Sequence, residues 1–161
     1  LLDIASNNIF VPFWSETILD EWKYLINIKN KNLVSQVNIE ILLLNASWPN
    51  SCVKIKKEEE INIFLPDLND RHVLLAAIES KSSILLTDNL KDFPIGTMSR
   101  YKISPRSPES FILQLYSEHQ QLIKDVILKN FNQEKKTLGE NLTLKKILKK
   151  NNLSKLSKLI T

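Results

Sequence analysis

Two glycines in 161 residues leave no room for a glycine-rich phosphate loop, and they argue against an all-β fold built on many tight turns. The single cysteine, Cys52, rules out an intrachain disulfide and any multi-cysteine zinc site, so a reducing, cytoplasmic setting is expected. Cys52 itself reads as a small apolar filler beside a strand. No apolar run approaches the ~18 residues of a membrane span, and no basic-then-apolar leader is visible. Neither membrane insertion nor a secretory signal is expected.

What is present is enough apolar residue for one sizeable core, 43% of the chain, together with an uneven charge. Leu1 to Ser110 holds 12 Lys or Arg against 14 Asp or Glu, whereas Phe111 onward holds 10 Lys against 4 acids. The expected organisation is a weakly acidic body over 1–110 and a helical, lysine-rich extension over 111–161. Such an extension suits contact with phosphates or with an acidic partner, or it is an ordinary solvated helix face.

The most informative stretch is Leu65-Pro66-Asp67-Leu68-Asn69-Asp70-Arg71-His72. Asn69 or Asp70 suits a helix N-cap, which starts a helix near Arg71, and Val73 to Ile78 is apolar on nearly every side, as in a helix packed between a sheet and another helix. Ser82 and Ser83 break that pattern. Ile84 to Thr87 then reads as a short strand buried on both faces in a parallel sheet. In an open α/β sheet the ligand crevice lies beyond the carboxyl ends of the strands, where Asp88, Asn89 and Asp92 fall and where Asp70 can reach. Oxygen donors without a Cys or His cluster favour Mg²⁺, with Mn²⁺ as the substitute. Taken singly, Asp70 is a cap and Asp88 and Asp92 are turn residues; taken together they form a nuclease-like constellation.

Elsewhere, Ile9 to Phe13 is expected to be a strand and Ser15 the cap of a helix whose apolar stripe is Ile18, Leu19, Trp22, Leu25 and Ile26, with Glu21 at its edge and Glu16 and Asp20 facing solvent. A further helix runs to about Ala46 with Val34, Val37, Ile41, Leu42 and Leu44 as its stripe. Trp48 to Ser51 stops it. Ser51 to Lys56 is an edge strand or a linker, Lys56 to Glu60 a surface loop, and Ile61, Ile63, Phe64 and Leu65 lead into the acidic helix entry. Pro94 through Gly96 reads as loop, Tyr101 to Ile103 as a last strand, and Ser104 to Ser110 as a turn into a helix cap. One long or two consecutive helices extend to Phe131. Asn141 or Thr143 then caps a short helix, and Ser154 another.

Three segments together resemble the PIN-domain ribonucleases, in the branch of VapC-type toxins. Leu65-Pro66-Asp67-Leu68-Asn69-Asp70-Arg71-His72-Val73 is close to the family's Leu-Pro-Asp-Pro-x-Asp-Arg-His-Val. Thr87-Asp88-Asn89-Leu90-Lys91-Asp92-Phe93-Pro94 is close to its Thr-x-Asn-Leu-x-Asp-Phe-Pro, and Trp14-Ser15-Glu16-Thr17-Ile18-Leu19-Asp20-Glu21 to its Trp-Ser-x-x-Ile-Leu-x-Glu helix. The resemblance implies an α/β, PIN-like three-layer fold with a central parallel sheet flanked by helices. It implies Glu21, Asp70 and Asp92 as catalytic metal ligands, with Asn89, where many relatives have Asp, as a weaker oxygen donor. Arg71 is then placed to anchor a substrate phosphate, and His72 to pack and hydrogen-bond at the helix start.

The family's first strand, with its leading Asp, is expected before Leu1, because Leu1 to Ala5 already reads as the end of the helix that follows it; Asp3, on a helix, does not replace that Asp. The strand is encoded upstream, supplied as a separate fragment, or lost. The implied activity is Mg²⁺-dependent hydrolysis of RNA, the implied partner an antitoxin protein, and a homodimer is compatible. The competing readings are a DNA-directed PIN nuclease, for whose junction-recognition elements the chain is short, and a catalytically inactive PIN fold that binds nucleic acid or protein.

Overall fold

The computed structural model describes residues 1–56, 63–138 and 142–160. In chain order the elements are α1 (Leu2–Ala5), β1 (Trp14–Ser15), α2 (Glu16–Lys29), α3 (Val34–Ser47), β2 (Cys52–Val53), α4 (Arg71–Glu79), β3 (Ile84–Leu86), α5 (Ile95–Ser99), β4 (Ser104–Arg106), α6 (Pro108–Glu118), α7 (Gln120–Leu138), α8 (Leu144–Lys150) and α9 (Ser154–Ile160). Single 3-10 turns, Lys31–Leu33 and Leu68–Asp70, precede α3 and α4. Two compact units result, one formed by Val11–Pro105 and the other by Leu1–Phe10 with Arg106–Thr161.

The Val11–Pro105 unit is α/β. Its β1 pairs in parallel with β2, Trp14 opposite Cys52 and Ser15 opposite Val53, and β3 pairs with β4. Among the described residues these are two separate two-stranded pairs. Helix α4 packs on β1, β3 and α2, because its Leu74, Leu75, Ala76 and Ala77 leave almost no polar surface to turn outward. The core joins Leu74, Leu75 and Ala77 to Ile63, Leu65, Leu85, Phe93, Met98 and Ile103. Fully burying a side chain such as Leu74 contributes about 1.5–3 kcal/mol before entropy is counted. Ser15 caps α2, its hydroxyl accepting from the Ile18 N–H at 3.3 Å, and the Trp14 indole N–H donates to Asn45 of α3 at 3.0 Å.

Several local expectations are corrected. The strand expected at Ile9–Phe13 lies at Trp14–Ser15, where the Trp14 N–H finds the Ser51 carbonyl at 3.0 Å, while Val11 and Phe13 are exposed. Leu25 and Leu42 lie outside the buried stripes of their helices. On α3 the reason is angular: five residues at about 100° each carry Leu42 about 140° around from the buried Val37. Residues Ile95–Ser99 form a helical turn rather than loop; five residues are too few to show a helical period. Tyr101–Ile103 is the tight exit from that turn, with Lys102 at φ 58° and the Ile103 N–H bonded to Met98 O, so the strand begins only at Ser104. Ile63–Leu65 belongs to neither a helix nor a strand, with Ile63 and Leu65 buried and Phe64 exposed, and the Ser51–Lys56 segment contributes β2. The expectations for Lys57–Ile61 and for Asn141 lie outside the described residues.

The other unit is helical. Ser107 caps α6, accepting from the Ser110 N–H at 3.2 Å, with Pro108 at the first position, where a missing N–H costs nothing. Helix α7 follows directly, so the segment to Phe131 is two helices, the second running on to Leu138. Phe10 meets Phe111 edge-to-face at a centroid distance of 5.1 Å. Thr143 caps α8, and Asn152, at φ 59°, turns the chain into α9, a conformation asparagine tolerates well. Leu148 and Leu156 are buried on the inner side of the α8–α9 hairpin. Among the described residues no helix is long and apolar enough to cross a membrane.

Candidate active site

The acidic helix entry is built from its turn outward. Asp67 accepts from the Asn69 N–H at 2.9 Å, closing an Asx turn that leads into the 3-10 turn and then α4. Asp70 occupies the N-cap position of α4 without a side-chain cap bond, so its carboxylate is not used by the helix. The cap expected of Asn69 or Asp70 is thus made one turn earlier by Asp67. The Leu-Pro-Asp-x-Asn pattern was the available signal, since an Asp just before a helical turn commonly accepts from the backbone N–H two residues on.

His72 is 9% exposed, and its Nδ1 lies 2.7 Å from the Asn69 carbonyl oxygen. A carbonyl only accepts, so Nδ1 carries the proton and donates it. The other ring nitrogen, Nε2, lies 3.2 Å from Oε2 of Glu21 without an aligned hydrogen bond, a contact that becomes an ion pair when the imidazole is protonated. This contact brings Glu21, on α2 and half-exposed, to the start of α4. The role expected of His72, packing and hydrogen bonding at the helix entry, matches these contacts.

Beyond β3, the Asn89 N–H donates to Thr87 Oγ1 at 3.0 Å, and the Asp92 N–H to the Asn89 carbonyl at 3.3 Å. In this turn the Asn89 side-chain amide also donates to Asp92 Oδ2, which leaves its own Oδ1 available. Asp88 and Asn89 are exposed, Asp92 is half-buried, and Phe93 behind it is core. Arg71, the first residue of α4, is half-buried.

The electrostatics tie these pieces together. The Asp70 carboxyl is held above its ordinary 3.8, first by burial and then by the negative charges of Asp67, Asp92 and Glu21, with His72 opposing. Residues from α2, from the entry to α4 and from the turn after β3 therefore share one field. Among the described residues no three His, Cys, Asp or Glu side chains converge into a group that could hold a metal ion as they stand. The donor set is nonetheless of the right kind, since hard cations take carboxylate and amide oxygens, and a cation here would relieve the repulsion that disfavours ionised Asp70.

The family model for the PIN domain matches residues 1–91, which hold all but Asp92 of these site residues. The chain belongs to the PIN-domain family. It is also similar, in the manner of the VapC-type branch, to "Putative ribonuclease VapC50" of Mycobacterium tuberculosis (strain ATCC 25618 / H37Rv), with 37% identity over 59 residues. That match covers 37% of this PIN-domain chain and 35% of the relative, so it spans about a third of VapC50. No solved structure matches.

Proposed function

We propose that this PIN-domain chain is the body of a metal-dependent endoribonuclease resembling the toxin of a VapBC-type toxin–antitoxin module. The observation that carries the reading is the meeting of Glu21 on α2 with His72 at the entry to α4, beside Asp70, whose carboxyl is held up first by burial and then by the charges of Asp67, Asp92 and Glu21. PIN-domain membership and the likeness to VapC50 support it. Glu21, Asp70 and Asp92 would hold Mg²⁺, or Mn²⁺ in its place, directly or through water, with Asn89 Oδ1 as an auxiliary oxygen. When bound, the cation supplies positive charge at the scissile phosphate and acidifies water for attack.

The protein's own contributions follow from its contacts. His72 holds Glu21 at the entry to α4, Arg71 anchors a substrate phosphate, and the turn from Asn89 to Asp92 presents two side chains from a backbone-locked segment. The reaction is hydrolysis: the water oxygen forms the new bond to phosphorus, and the 3′ oxygen leaves with a proton. In the same reading, the two strand pairs belong to one central sheet of a three-layer PIN fold. The division is by chemistry, with 1–110 carrying the site and 111–161 the lysine excess. An antitoxin as protein partner, assembly as a homodimer and a cytoplasmic location belong to the same proposal.

The test is cleavage of end-labelled single-stranded RNA by the full-length protein with Mg²⁺. Loss of cleavage in Asp70→Asn by a factor of 100 or more is expected, on the order of removing a ligand to an essential metal; unchanged cleavage removes the assignment. Absence of cleavage by the wild-type full-length protein with either cation, with binding of RNA or protein retained, would favour an inactive binding module.

A further inference from the structure

The α8–α9 hairpin carries a charge pattern that the acidic site does not use. Between Leu142 and Ile160 there are six lysines, Lys145, Lys146, Lys149, Lys150, Lys155 and Lys158, and no Asp or Glu. All six are exposed, and among the described residues none has a carboxylate partner within ion-pair distance. Their spacing puts them on the outer side. On α8 they stand at i, i+1, i+4 and i+5, within an arc of about 140°, and on α9 at i and i+3. The opposite sides are anchored by Leu148 at 4% exposure and Leu156 at 0%, so the ammonium groups cannot turn inward. Helix α9 is pinned further where the Lys155 backbone N–H donates to Glu109 of α6 at 2.5 Å.

We propose that this hairpin is a sequence-independent binding surface for the phosphate backbone of single-stranded RNA, which retains the substrate of the same chain. The choice of RNA rests on the nuclease reading above. The character of the contact rests on the hairpin alone. Its cations are all lysines, compact point charges that neutralise phosphates, and it exposes no arginine, which would read base edges in a bidentate way. Unpaired lysines need break no internal ion pair to meet a phosphate. Being covalently joined to the nuclease body, the hairpin would raise the local concentration of RNA without adding a contact at the acidic site.

The experiment measures binding of a short fluorescein-labelled RNA by full-length protein carrying Asp70→Asn, so that no hydrolysis intervenes, as a function of salt. Single-strand contacts give a slope of about −0.7 per phosphate neutralised, so replacing Lys145, Lys146, Lys149 and Lys150 by Gln is expected to flatten the slope by about 3 and to weaken binding at least tenfold at low salt. Lys29→Gln with Lys31→Gln, exposed lysines of the other unit, is expected to leave binding within twofold, and circular dichroism checks that all variants are folded. An unchanged slope in the fourfold variant overturns the proposal. So does tighter binding of duplex DNA or of an acidic polypeptide than of RNA, since either would give the lysine face another occupant. If wild-type protein fails to cleave RNA while the lysine-dependent binding is found, the nuclease reading fails and the surface stands.

Discussion

Glu21 and His72 meet across two helices, Oε2 to Nε2 at 3.2 Å, while the far side of the imidazole donates to the Asn69 carbonyl at 2.7 Å. One ring thus joins α2 to the turn that presents Asp70. His72→Ala removes the donor to a part-buried carbonyl and empties a buried position, so a loss of about 1–3 kcal/mol is expected in urea unfolding. RNA cleavage by the full-length protein should fall as well, because Glu21 loses the contact that positions it. A variant with wild-type stability and wild-type cleavage would show that the contact does neither.

Asp70 is expected to weaken the fold in which it sits. Its folded-state pKa is raised above 3.8, chiefly by burial and then by Asp67, Asp92 and Glu21. Between 3.8 and that raised value the native state keeps a proton that the unfolded chain has released, so stability falls as pH rises through the window, and the penalty is complete above it. Asp70→Asn removes the penalty. At neutral pH it should be at least as stable as the wild type, and the fall across the window should flatten. Thermal melts over a pH series check both.

Metal should reverse the same penalty. Chelation with EDTA is expected to abolish cleavage by the full-length protein, with Mg²⁺ and then Mn²⁺ restoring it. In the absence of RNA, Mg²⁺ at a hundredfold excess over its Kd should stabilise wild-type protein by about 2.7 kcal/mol, and Asp70→Asn by far less. Equal stabilisation of the two would place the cation elsewhere.

Ser15 tests how the early helix is held. Its hydroxyl satisfies the Ile18 N–H at the start of α2, the helix that carries Glu21. Ser15→Ala should cost about 1 kcal/mol in equilibrium unfolding, and Ser15→Asp, which can cap as well, should recover most of it.

Much of the candidate site was legible because it is local. The α4 start at Arg71, the Ser15 and Thr143 caps and the strand at Ile84–Leu86 depend on residues a few positions apart, and short-range hydrogen bonding decides them. Strand limits were less legible. Trp14–Ser15 and Ser104–Arg106 are strands because partners at Ser51–Val53 and Ser83–Leu86 bond them, and no pattern inside a two- or three-residue strand reports its partner. The apolar stripes were overcounted for the same reason: periodicity shows which residues share a helix face, whereas the width of the packed neighbour decides how many are covered, which leaves Leu25 and Leu42 exposed.

From the sequence by itself came the α/β class, the acidic residue types, their order along the chain and the basic character of its end, since each is a property of composition or of neighbours in the chain. Only the tertiary structure decided that Glu21 touches His72 and that Asp92 and Glu21 act on Asp70. Coulomb and hydrogen-bond energies depend on distance in space, and residues about fifty positions apart have no fixed separation until the core between them has packed.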